Sequence, residues 1–133
     1  MLIYRYITLI VSILLLSGCV PTVKVLIYNN SGVDIDIRFE NKANYLYLPN
    51  SYVSQNESID FLLIPNGEGI FQIRIDNKTF QYNLKLFEFL DDKDSKLYLR
   101  LEKDNEIYVI GNENKKITDY ANLDKLDRNE CSR

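Results

Sequence analysis

Residues 33–39 read VDIDIRF, and their alternation decides the fold class. In an extended chain successive side chains point to opposite faces. Val33, Ile35, Ile37 and Phe39 therefore share one side, while Asp34, Asp36 and Arg38 share the other. A strand with one dry and one wet face belongs to a sheet that packs on one side only.

The same rhythm extends in both directions. Residues 22–28 (TVKVLIY) are rich in β-branched side chains and end at Asn29-Asn30-Ser31-Gly32, a run suited to the positive φ of a turn. Downstream, 44–48 (NYLYL), 58–64 (SIDFLLI), 69–76 (GIFQIRID), 79–86 (TFQYNLKL), 96–103 (KLYLRLEK) and 106–110 (EIYVI) are each bounded by Pro, Gly, Asn or Asp. Residues 51–57 read as a polar connection and 91–94 (DDKD) as a loop, while 87–90 fit either a strand extension or a helical turn. About eight short strands at regular spacing predict an all-β fold, an antiparallel β-sandwich or small barrel. A βαβ design needs helical crossovers of a dozen or more residues, and the pattern holds none. Residues 111–133 form a polar tail. Within it, 119–128 suit a short helix with Tyr120, Leu123 and Leu126 on one side, with disorder as the alternative.

The first 18 residues differ in kind. In MLIYRYITLIVSILLLSG the only charge is Arg5, and from Ile7 to Leu16 only Thr8 and Ser12 are polar. That core is about half the roughly 20 apolar residues of a membrane span. A positive head, a short apolar core and small residues before a cut describe a cleaved signal peptide. The end of the run, Leu16-Ser17-Gly18-Cys19, resembles the lipobox of bacterial lipoproteins. That resemblance implies cleavage between Gly18 and Cys19, a diacylglyceryl group on the Cys19 sulfur and acylation of its new amine. The small residues also suit an ordinary signal peptidase, which would release a soluble secreted protein. Val20 stands where an Asp commonly marks inner-membrane retention, so the resemblance implies an outer-membrane lipoprotein on the periplasmic face. Several acyl chains anchor stably where one holds marginally. Only Val20 and Pro21 separate Cys19 from residue 22, a slack of about 10 Å, so the body is expected to sit against its membrane.

Removing 18 of 133 residues leaves 115, enough for one domain with its own core. Residues 19–110 are expected to form it. Arg5 leaves with the signal, so 15 basic residues face 19 acidic ones, a net of −4. With no basic run, nucleic acid is not an expected partner. Cys131 is then the one thiol not carrying lipid, either free or in a disulfide.

Candidate chemistry is sparse. The chain has no histidine, which removes the commonest general base and metal ligand, together with Ser-His-Asp and Cys-His arrangements. Asp91–Asp94 lacks the central Gly and distal Glu of an EF-type calcium loop, and Asp34 and Asp36 read as the wet side of a strand. No metal, cofactor or enzymatic activity is expected. Tyrosines are more suggestive. Tyr45 and Tyr47 share a face of one strand, and Tyr98 and Tyr108 stand opposite Leu99 and Val109 in neighbouring strands. Outward tyrosines offer contact area at low entropic cost, and the four are candidates for a contact surface, with packing as the alternative.

The Asn-Asn-Ser-Gly turn and the closing Glu-Ile-Tyr-Val-Ile strand resemble those of compact β-sandwich lipoproteins of bacteria, over residues 23–110. The likeness brings no activity with it. The expected role is a membrane-anchored, non-catalytic interaction module that meets another envelope protein. The alternative is an inhibitor or immunity-type lipoprotein that blocks a cell-wall hydrolase or toxin through 51–57 or 91–95.

Overall fold

A computed structural model describes residues 2–17, 22–47, 51–65, 67–91, 94–113 and 119–131, leaving aside the side chains of 12–17, 42, 46 and 47. Helix α1 covers Leu2–Ser17. The strands are β1 Val23–Asn29, β2 Ile35–Phe39, β3 Tyr45–Tyr47, β4 Tyr52–Val53, β5 Ser58–Leu63, β6 Glu68–Ile75, β7 Lys78–Lys85, β8 Lys96–Leu101, β9 Ile107–Gly111 and β10 Asp127–Glu130.

They form two five-stranded sheets, β3-β5-β1-β8-β9 and β10-β7-β6-β2-β4. Each is hydrogen-bonded within itself, so the fold is an all-β sandwich and not a closed barrel. The inward rows obey the alternation of the sequence: Val25, Ile27, Phe61, Leu97, Leu99 and Leu101 from the first sheet meet Ile37, Phe71, Ile73, Tyr82 and Leu84 from the second. Burying a large apolar side chain contributes about 1.5–3 kcal/mol, so these rows hold the sheets together. Tyr82 adds a polar tie across the layers: its ring stacks on Phe71 with centroids 5.7 Å apart, and its hydroxyl donates to the carbonyl of Asn105 at 2.6 Å.

Among the described residues only β6–β7 and β8–β9 are hairpins between consecutive strands; every other connection crosses between the sheets. Pairing is antiparallel except at the centre of the first sheet, where β1 and β8 run parallel with Lys24 opposite Lys96 and Tyr28 opposite Arg100.

One buried polar residue organises an end of the sandwich. Asn29 has no exposed surface. Its Nδ2 donates to the carbonyls of Val33 at 2.8 Å, Ser54 at 3.2 Å and Val53 at 3.3 Å, and its Oδ1 accepts from the Ser31 amide and hydroxyl. Asn29 thereby clamps the turn after β1 to β4 and the loop beyond it. Within that turn Gly32 takes φ +86°, a conformation that side chains resist.

Two segments depart from the expected layout. Residues 51–57 contain the two-residue strand β4, whose Val53 points inward. The larger correction concerns 111–133, expected to be a polar tail that is partly disordered or forms a short helix at 119–128. Asp119 accepts from the Ala121 amide at 3.0 Å and from Asn122 Nδ2 at 2.8 Å, a local turn that competes with helix formation. Beyond it the chain runs extended. Val109 donates its amide to Asp124, Leu126 donates to Ile107, and β10 pairs with β7. This strap covers the β9 edge of one sheet and the β7 edge of the other. Leu126, only 3% exposed, pins it to the core. Arg128 lies over the Phe80 ring at 5.2 Å and pairs with Glu106 at 3.1 Å. Covered edges are protected from pairing with other chains.

Candidate functional site

The candidate surface lies on the outer face of β1, β8 and β9. Parallel registry sets Leu26 beside Tyr98 and Tyr28 beside Arg100, and the β8–β9 hairpin sets Arg100 beside Tyr108. The Arg100 guanidinium carbon stands 4.9 Å from the Tyr28 ring centroid, a cation–π contact. Its Nη1 donates to the Tyr120 hydroxyl at 3.2 Å, and its Nε lies 3.7 Å from Glu102 Oε1. Tyr120 in turn donates to Glu102 Oε1 at 2.8 Å, and Asn30 Nδ2 donates to Oε2 at 2.8 Å. Below Tyr120, Tyr108 meets it edge-on at 5.2 Å and donates to Asp104 Oδ2.

Two shallow recesses flank this network. One, of about 280 Å³, is lined by Leu26, Tyr28, Ser58, Tyr98, Leu99, Arg100 and Ile110. The other, of about 300 Å³, is lined by Glu102, Lys103, Asp104, Tyr108 and Tyr120. Two of the phenols, Tyr108 and Tyr120, are held in their neutral form. The hydrogen bond to Asp104, followed by burial and nearby carboxylates, pushes Tyr108 up to about 12. Burial and then the bond to Glu102 raise Tyr120. Hydroxyls, a guanidinium held against an aromatic ring and half-buried aliphatic carbons make this surface amphipathic.

The four predicted tyrosines divide. Tyr98 takes the outward face and lines the first recess. Tyr108 belongs to the same surface but is buried beneath Tyr120. Tyr45 is a correction: at 8% exposure it points inward, its ring between Phe39 and Phe61 and its hydroxyl donating to the Ile70 carbonyl at 3.1 Å. A Cβ on Gly69 would lie 3.1 Å from that hydroxyl, so the glycine makes room for it. The irregular β3–β5 register accompanies this inward turn. Tyr47 takes its place in the β3 backbone, and its side chain lies outside the described residues. Tyr28, Arg100, Glu102 and Tyr120 were not anticipated. The period-two rule already sets Tyr28 and Arg100 on outward faces; the missing information was that β1 and β8 are neighbours.

Cys19 and Gly18, the residues expected to be lipidated and to flank the cleavage, lie outside the described residues. Helix α1, which precedes them, buries none of its described side chains: Leu2, Ile3, Ile7, Leu9, Ile10 and Val11 are all exposed. Among the described residues no helix is long and apolar enough to cross a membrane. Asp34 is engaged structurally, accepting from the Tyr52 hydroxyl at 2.5 Å and the Gln55 amide at 2.9 Å, and these bonds hold its carboxyl below the usual range. Asp94 folds back on the Asp91 amide and accepts from Asn112 Nδ2. Among the described residues no group of three or more acidic or Cys side chains is arranged to hold a metal ion. Cys131 is a free, partly buried thiol following β10.

Comparison with protein-family models, with curated proteins and with solved structures finds no match.

Proposed function

We propose that this chain is a lipid-anchored protein of the bacterial envelope whose sandwich serves as a non-catalytic interaction module. Cys19 carries the acyl chains, the body stands on the periplasmic face of the outer membrane, and the Tyr28–Arg100–Tyr120 surface meets another envelope protein. The observation that carries this reading is the polarity of the body. Val23, four residues beyond Cys19, begins β1 at one end, and Tyr28 ends the outward row at the other. At ~3.3 Å per residue, the contact surface stands about 15–20 Å farther from the anchor point than Val23 does. The exposed apolar helix before Cys19 supports a segment that is not part of the folded body. Aromatic and Arg side chains are the usual energetic centres of protein interfaces.

The test is site-specific photo-crosslinking in membranes from the native host. A photoreactive residue replacing Tyr98 or Tyr120 is expected to capture one recurring protein, while one replacing Lys78, in the β6–β7 turn region, captures none. Equal, unspecific labelling from all three positions would refute the reading.

One observation favours a second reading, an inhibitor of an incoming hydrolase or toxin. Gln55, Asn56 and Glu57 are exposed, yet the Asn29 clamp and the Asp34–Gln55 bond hold their loop. A preordered loop loses little entropy on entering a cleft. Survival under challenge by lysozyme or a competing strain, with and without substitutions at 55–57, separates the two readings. In the other loop considered, 91–95, Ser95 accepts from the Lys24 amide, at the end of the sandwich where β1 begins.

A further inference from the structure

Among the described residues of the sandwich, two large hydrophobic side chains are more than half exposed, Tyr52 at 58% and Phe87 at 62%. Tyr52 is engaged by Asp34. Phe87 has no such role, and its position is informative. It occupies the 3-10 turn Leu86–Glu88 after β7. Leu86 is buried and donates its amide to Gly67, while Phe89 and Leu90 pack partly against the core. The turn is thus fastened on both sides of the one ring that faces water.

A chain of contacts ties this turn to the start of β1. Val23 pairs with Leu63, Gly67 donates to Ile64, and Gly67 accepts from Leu86. Lys24 donates its amide to Ser95, in the connection that follows the Phe87 turn. The Phe87 turn therefore lies at the end of the sandwich where residue 22 enters, with its ring exposed there.

We infer that this end rests on the lipid bilayer, with the Phe87 ring seated in the headgroup region as a second, non-covalent contact beside the acyl anchor. The inference rests on the anchoring of Cys19. The four residues from Cys19 to Val23 span at most about 14 Å, so the anchored body cannot leave the surface and its first-strand end is the end held nearest. Charge does not supply the attraction. Lys24, Lys85 and Lys96 at this end face Glu68, Glu88, Asp91 and Asp94, and Lys24 is already paired with Asp60. An apolar ring, already close to lipid, is left to set the orientation. Burying it favours the docked over the tilted body by roughly tenfold, with little dependence on salt.

The chain contains no tryptophan, so Phe87→Trp creates a single tryptophan, excited selectively at wavelengths beyond tyrosine absorption. The full lipidated protein is reconstituted in phosphatidylethanolamine–phosphatidylglycerol vesicles containing acyl-brominated lipid. Flotation reports anchoring, and quenching reports docking. Expected are co-flotation, quenching by about twofold at position 87, and little quenching of Tyr52→Trp. Co-flotation without quenching at 87 overturns the docking and leaves the anchor standing. Failure to float overturns both. A blue shift at 87 without bromine quenching means that protein covers the residue, and also overturns the inference.

Discussion

Replacing Asn29 by Asp changes one atom and reverses its hydrogen-bonding sense. The Nδ2 now donates toward three carbonyls, at 2.8, 3.2 and 3.3 Å. In Asn29→Asp an oxygen faces those three oxygens at a site with no exposure. Ionised, the introduced carboxylate is a buried charge with only the Ser31 amide and hydroxyl to bond it; protonated, it supplies one donor where two N–H groups stood. Loss of donors to buried carbonyls and the burial of an unpaired charge together cost about 3–5 kcal/mol near neutral pH. A domain of this size is stable by about 5–15 kcal/mol, so the variant is expected to remain folded but with much of its margin gone. The sign of the pH effect follows. Burial raises the folded-state pKa of the introduced carboxyl above its unfolded value of about 3.9, so the folded variant binds the extra proton first. The deficit relative to the parent is therefore greatest above the folded pKa and shrinks as pH falls toward the unfolded value. Urea unfolding followed by far-ultraviolet circular dichroism, for parent and variant at about pH 7 and about pH 4.5, measures it. A deficit under about 1 kcal/mol near pH 7, or one that does not shrink on acidification, would refute the clamp.

Three other outcomes are expected. Raising pH should unfold the sandwich cooperatively: the folded pKa of Tyr108 is about 12 and those of Tyr45 and Tyr82 are also raised, so stability present below the unfolded value of about 10 is lost as pH rises through the folded values. Tyrosinate absorbance should then rise in step with loss of strand dichroism; earlier, independent ionisation would contradict this. Leu126→Ala should cost about 2–4 kcal/mol by removing the pin of the strap, and a chain ending at residue 118 should self-associate through the bared β7 and β9 edges, as size-exclusion chromatography would detect. Tyr82→Phe should cost about 1–2 kcal/mol by leaving the Asn105 carbonyl without its partner; calorimetry showing no change would remove the proposed tie between sheets.

Eight of the ten strands are legible in the sequence, and so, Tyr45 apart, are the faces of their described residues, because alternation against a dry core is a local property. VDIDIRF and KLYLRL read the same way in isolation and in place. Pairing is not local. With most connections crossing between sheets, nothing in residues 22–28 announces that 96–101 lie alongside, so the Tyr28–Arg100 contact was invisible. The strap was missed because DRNE carries no apolar alternation; it is held by backbone bonds, by Leu126 just before it and by Arg128. Tyr45 misled for a related reason. Its inward course depends on a shifted register and on the space above Gly69, neither of which spacing reveals.

The position of β1 has a mechanical consequence. It enters from the N-terminal side and lies between β5 and β8, bonded along its length to both. Tension applied ahead of Val23 along the strand axis is shared by two ladders at once, whereas an edge strand would peel one bond at a time. Resistance to such a pull is set by the rate of forced rupture rather than by equilibrium stability. A body fastened through its central strand holds its load in shear.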